Sequence, residues 1–149
     1  MLHWMGSIVQ ISTKIKEYQT QPSANRVFVL YGLPLSGKTS VAREVAKSLN
    51  GKYIDLLKDK LSMLNPKLGL YTPLSLKRDI GTWAKETDSL LVIDEIEALL
   101  DTWMRQQQED LLKLLSGLGG RMHCPVLIVT RLNLSYEDFM GEGRILKTS

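Results

Sequence analysis

Gly32-Leu33-Pro34-Leu35-Ser36-Gly37-Lys38-Thr39 decides the fold of this 149-residue chain. The stretch fits the pattern GxxxxGK(S/T), a loop whose backbone N–H groups cradle a phosphate chain. In such a loop Lys38 reaches the β/γ-phosphates and the Thr39 hydroxyl ligates Mg²⁺, with Ser40 beside it in the first helical turn. Glycine is needed at both ends, because the loop wraps its anion with backbone angles that a Cβ would obstruct. The flanks give the pattern its meaning. Ahead of it, Arg26-Val27-Phe28-Val29-Leu30-Tyr31 is a β-branched and aromatic run that predicts a buried strand. Behind it, Val41, Ala42, Val45, Ala46 and Leu49 recur at helical spacing until Asn50-Gly51 supplies a stop. Strand, loop and helix in succession aim a helix amino end at one anion.

A second stretch, Leu90-Leu91-Val92-Ile93-Asp94-Glu95, places two carboxylates where a doubly buried strand ends. Ligands of open α/β sheets sit at the carboxyl ends of strands, so both acids are expected to face the crevice of the glycine loop. Asp94 is placed to hold the Mg²⁺ shell and Glu95 to polarise a water. The ordinary alternative is an acidic pair favoured by a helix dipole. A phosphate loop upstream favours the site reading.

Around these stretches the chain alternates strand and helix signals. Lys52 to Leu57 predicts a second strand, which completes a βαβ unit and implies a parallel sheet. Residues 58–71 form a loop marked by Asn65-Pro66 and Gly69. Thr72-Pro73 reads as a cap and first helical position, with Leu76, Ile80, Trp83 and Ala84 carrying the apolar stripe to about Glu86. Asp101 or Thr102 is expected to cap the next helix, with Trp103, Met104, Leu111, Leu114, Leu115 and Leu118 on its apolar side. Pro125 to Val129 predicts another buried strand, with Thr130 and Arg131 at its carboxyl end. A helical turn at 135–140, a turn at 141–144 and a last strand at 145–148 follow. At the amino end, Leu2, Ile8, Ile11, Ile15 and Tyr18 predict an amphipathic helix, joined to the core by a polar connector at 19–25.

Composition excludes more than it selects. A hydrophobic content of 44% and a charged content of 23% are ordinary for a globular domain. The net charge of +3 comes with no block of Lys/Arg, so nucleic-acid binding is allowed but not indicated. The lone Cys124 forbids an internal disulfide, and with His3 and His123 it makes no credible metal set. No secretory leader or membrane span is legible, which predicts a cytoplasmic protein without membrane partners.

Together, residues 32–39, 90–95 and 126–131 resemble the additional-strand, catalytic-glutamate division of P-loop NTPases, which includes AAA+ proteins. The resemblance implies a three-layer α/β fold with a mostly parallel five-stranded sheet of order 5-1-4-3-2. One domain is expected: a helix and connector over 1–25, and a nucleotide-binding core over 26–149. Thr130-Arg131 is similar to the Thr-Arg sensor of STAND and NB-ARC switches, and Arg144 lies near where AAA+ rings place an arginine finger. The chain stops at the fifth strand, which predicts that the helical lid and its second sensor arginine are absent. In size and motif order it is also similar to the BrxF family, the small P-loop component of bacteriophage exclusion (BREX) defence systems.

The expected catalytic set is therefore Glu95, Thr130, Arg131 and Arg144. Residues 32–40 would bind nucleotide, and Thr39 and Asp94 would hold the metal. The first reading is an Mg-ATP-hydrolysing core within a larger assembly, partnered by further copies of itself and by other proteins. A nucleotide-dependent switch with negligible turnover is the second reading. A small-molecule kinase is the third, and the Asp94-Glu95 pair, better suited to activating water than an acceptor, speaks against it.

Overall fold

The computed structural model describes residues 2–19, 27–31, 37–60, 71–116, 123–130 and 145–147. Among the described residues, five strands and five α-helices follow in the order α1 (Leu2–Gln19), β1 (Val27–Tyr31), α2 (Lys38–Ser48), β2 (Lys52–Asp55), α3 (Pro73–Ala84), β3 (Leu91–Asp94), α4 (Glu97–Leu100), α5 (Arg105–Ser116), β4 (Val126–Thr130) and β5 (Ile145–Lys147). The sheet order is β2-β3-β4-β1-β5, and every neighbouring pair is parallel. Counted from β5, this is 5-1-4-3-2.

Alternation along each strand divides the core into two layers of side chains. Phe28, Leu30, Val92, Leu127 and Val129 face α1 and α2, where they pack with Ile11, Ile15, Val41, Ala42, Val45 and Ala46. Val27, Val29, Leu91, Ile93, Val126 and Ile128 face the opposite way, onto Leu76, Ile80, Trp83, Leu99 and Leu111 of α3, α4 and α5. Strands buried on both faces show continuous apolar runs, which is why β1, β3 and β4 carry no polar residue before their last position. Each fully buried Leu, Ile or Phe contributes about 1.5–3 kcal/mol of transfer free energy, so both layers are needed to hold the sheet.

Several boundaries follow from local chemistry. The α3 start is a capping box: the Ser75 N–H donates to the Thr72 hydroxyl, the Thr72 N–H donates to the Ser75 hydroxyl, and Pro73 takes the first turn. After α2, Asn50 adopts φ 54°, and Gly51 passes so near β3 that a Cβ there would stand 2.7 Å from the Leu90 carbonyl oxygen. Glycine at 51 is thus required by a neighbouring backbone.

Three expectations need correction. The second strand stops at Asp55, because the Asp55 N–H donates to Asp59 and the Asp55 carboxylate accepts the Lys58 N–H. These bonds draw the chain into a π-helical turn at Leu56–Lys60. Asp101 and Thr102 do not cap a following helix. Asp101 closes the unforeseen α4, and the Thr102 hydroxyl donates back to the Leu99 carbonyl. The Met104 N–H is instead satisfied by the Gln107 side chain, which leaves Met104 exposed and Trp103 buried ahead of α5. The expected connector at 19–25, the loop at 58–71, whose first three residues belong to the π-helical turn, and the turns at 135–144 fall wholly or mostly outside the described residues.

Candidate functional site

The sheet brings the motif residues to one edge. Gly37 begins α2 at φ 83°, in the left-handed region, and offers no side-chain cap. A helix start of this kind is suited to an anion in place of a cap. Lys38 and Thr39 follow in the first turn, both half-buried, with Ser40 exposed. Residues 32–36 lie outside the described residues.

At the end of β3, Asp94 is only 2% exposed, although an ionised carboxylate is costly to bury without partners. Its partners are present. The Tyr53 hydroxyl donates to Oδ2 at 2.5 Å, and the Glu95 N–H donates to Oδ1 at 2.8 Å. Tyr53 and Asp94 are adjacent because β2 and β3 pair Tyr53 with Val92 and Asp55 with Asp94. The Arg43 guanidinium of α2 lies over the Tyr53 ring, 5.2 Å from its centre, a cation–π contact. Burial and the bond to Asp94 push the Tyr53 hydroxyl upward in pKa, and Arg43 opposes this.

Glu95 leaves the strand at φ 60°. For a residue with a Cβ this is a strained conformation, of the kind that collects at functional sites. Its carboxyl titrates above its ordinary value of 4.5, chiefly through burial, then through the negative charges of Asp94, Asp55 and Glu97, with Lys38 pulling it down. Lys38 and Glu95 therefore share one electrostatic environment.

Thr130 reaches the same edge of the sheet but is nearly inaccessible, and its hydroxyl donates to Glu97 Oε1 at 2.7 Å. The reason lies in strand parity. Val126 and Ile128 face the α3–α5 layer, and Thr130, two further on, shares their side, whereas Asp94 shares the α2 side with Val92. Arg131 and Arg144 lie outside the described residues. Tyr53, Arg43 and Glu97 were not among the expected site residues. Glu97, two positions after Glu95, was the one within reach of the motif.

The oxygen donors suit Mg²⁺, a hard cation held by one or two carboxylates together with substrate phosphates. A buried, doubly hydrogen-bonded Asp94 at the carboxyl end of β3 fits that use. Among the described residues no group of three or more His, Cys, Asp or Glu is arranged to hold a metal unaided. None of the helices described is long and apolar enough to cross a membrane.

The family model for the ATPase family associated with various cellular activities (AAA) matches residues 28–144. Among solved structures, the chain is similar to C. elegans PCH-2, with a TM-score of 0.54 and 13% identity over 95% of this chain. It spans 41% of that chain's length, and the likeness is one of fold. No curated protein matches.

Proposed function

The chain belongs to the AAA family of ATPases, and on that premise we propose that it binds Mg-ATP at the carboxyl edge of the sheet and hydrolyses it. The observation that carries this reading is the convergence of Lys38, Asp94 and Glu95: the lysine acts on the Glu95 carboxyl, which burial first and then the neighbouring acids make more basic than usual. Mg²⁺, when bound with the nucleotide, supplies charge neutralisation on the phosphate oxygens.

The residues of the chain do the rest. Lys38, the amides of residues 32–39 and the α2 amino end hold the phosphates. Thr39 and Asp94 orient the metal shell. Glu95 holds a water in line with the γ-phosphate and takes its proton as the water oxygen bonds to phosphorus and the bond to the ADP oxygen breaks. Arg131 senses the γ-phosphate. Thr130, with its hydrogen already donated to Glu97, acts by tying the end of β4 to the turn that carries Glu95.

We further propose that the protein works in the cytoplasm as a component of a larger assembly, with Arg144 completing the nucleotide site of a neighbouring copy. Motif order supports a place in BREX-type phage defence. Particle mass in solution with and without Mg-ATP tests the assembly, and a protein that stays monomeric in both refutes the role of Arg144.

The catalytic test pairs two variants. Lys38→Ala is expected to lose ATP binding while keeping its unfolding temperature, and an unchanged affinity overturns the reading. Glu95→Gln is expected to bind ATP but release phosphate about 10²-fold or more slowly than wild type. Equal turnover in the two removes Glu95 from the mechanism. A wild type that binds ATP and releases no phosphate is a nucleotide switch instead.

A further inference from the structure

The metal-facing carboxylate is held by a residue from outside both motifs. Tyr53 lies on the edge strand β2 and packs against the α2-side core. Its hydroxyl meets Asp94 Oδ2 at 2.5 Å while the Glu95 N–H meets Oδ1 at 2.8 Å. Two donors on two oxygens fix the plane of a carboxylate that would otherwise rotate about its terminal torsion. Each oxygen keeps a second lone-pair direction for another partner. On its other side the Tyr53 ring lies under Arg43, in the helix that opens with Lys38. Arg43, Tyr53 and Asp94 thus form a bridge from the phosphate-binding helix to the end of β3.

We propose that Tyr53 is a positioning residue for Asp94: it orients the carboxylate for the metal shell before nucleotide arrives, and Arg43 holds the ring in place. The proposal rests on the Mg-ATP reading above. It predicts a specific pattern, because Asp94 acts through the metal and not through the phosphates themselves. Removal of the Tyr53 hydroxyl should weaken the part of ATP affinity that depends on Mg²⁺ and leave the metal-independent part alone.

The experiment measures the affinity of a fluorescent ATP analogue with Mg²⁺ and with EDTA. Tyr53→Phe keeps the ring, its packing and its cation–π contact with Arg43, and removes the hydroxyl's bonds to Asp94 and Arg43. The expected result is a loss of about tenfold in the Mg²⁺-dependent gain of affinity, the lower end of what a hydrogen bond to a charged group is worth. Affinity in EDTA should stay within about twofold of wild type, a change of about 0.4 kcal/mol. Arg43→Ala, on an exposed helix face, should lower the same gain about threefold, which keeps the proposal testable if Tyr53→Phe does not fold. An Mg²⁺-dependent gain unchanged in both variants overturns the proposal. So does an equal loss with and without Mg²⁺, which marks a merely structural role. A wild type that binds no ATP in either condition refutes the Mg-ATP reading, and this one with it.

Discussion

Glu95 sits at φ 60°, and that strain is measurable apart from its chemistry. A left-handed conformation costs a residue with a Cβ roughly 1–2 kcal/mol. Glycine adopts it freely but gains about 0.5–1 kcal/mol of conformational entropy in the unfolded chain. Glu95→Gly and Glu95→Ala both delete the carboxylate, and with it the repulsion from Asp94, Asp55 and Glu97. They differ only in the Cβ. Glu95→Gly should therefore be more stable than Glu95→Ala by about 0.5–1 kcal/mol, or about 1–4 °C in unfolding temperature for a chain of this size. Urea unfolding at 25 °C and a thermal scan read the difference, while both variants lose phosphate release. An alanine variant as stable as the glycine variant would show that the strain at 95 is no larger than glycine's entropy cost of about 0.5–1 kcal/mol, below the cost expected of a left-handed residue with a Cβ.

Two further predictions concern the buried acids. Thr130→Val keeps the volume but removes a buried donor to Glu97, so it should cost about 0.5–1.5 kcal/mol of stability, and a neutral effect in urea unfolding would deny the pair a role in holding β4 to α4. The Glu95 carboxyl titrates above 4.5 in the fold, so its ionisation opposes folding. That penalty is absent below the unfolded value and develops as pH rises through the folded one. Glu95→Gln should accordingly gain stability over wild type towards neutral pH and lose the advantage near pH 4. A pH-independent difference would contradict the shift.

The strand and helix that flank the glycine motif, and the acidic end of β3, were legible in the sequence because each joins an unusual local pattern to a run of strong apolar periodicity. The capping box at Thr72 was half legible, since Thr-Pro marks the start while the reciprocal Ser75 bond needs the turn to form. Other features depend on tertiary pairing. Nothing local links Tyr53 to Asp94, which lie 41 positions apart and meet only through the β2–β3 register. The turn of Thr130 towards Glu97 was hidden for a related reason. A strand apolar on both faces shows no alternation, so the side taken by its last residue is unreadable until the layers are known. The short α4 was not legible because four residues, Glu97–Leu100, are too few to show helical periodicity.

The sheet order has a consequence for how the chain assembles. Strand β1 pairs with β4 on one side and β5 on the other, and both come from late in the sequence. Val27 meets Val126, a partner ~100 residues further on, which at about 5–20 residues per second leaves the emerging β1 without neighbours for about 5–20 s of synthesis. During that interval the apolar run Val27 to Tyr31 is an open edge on both sides, able to pair with another nascent chain. Helices α1 and α2 are made early enough to cover its Phe28 and Leu30 face, so they are well placed to act as its first shield. Closing a loop of this length before any strand pairing rewards it also makes folding slow for a chain of modest size.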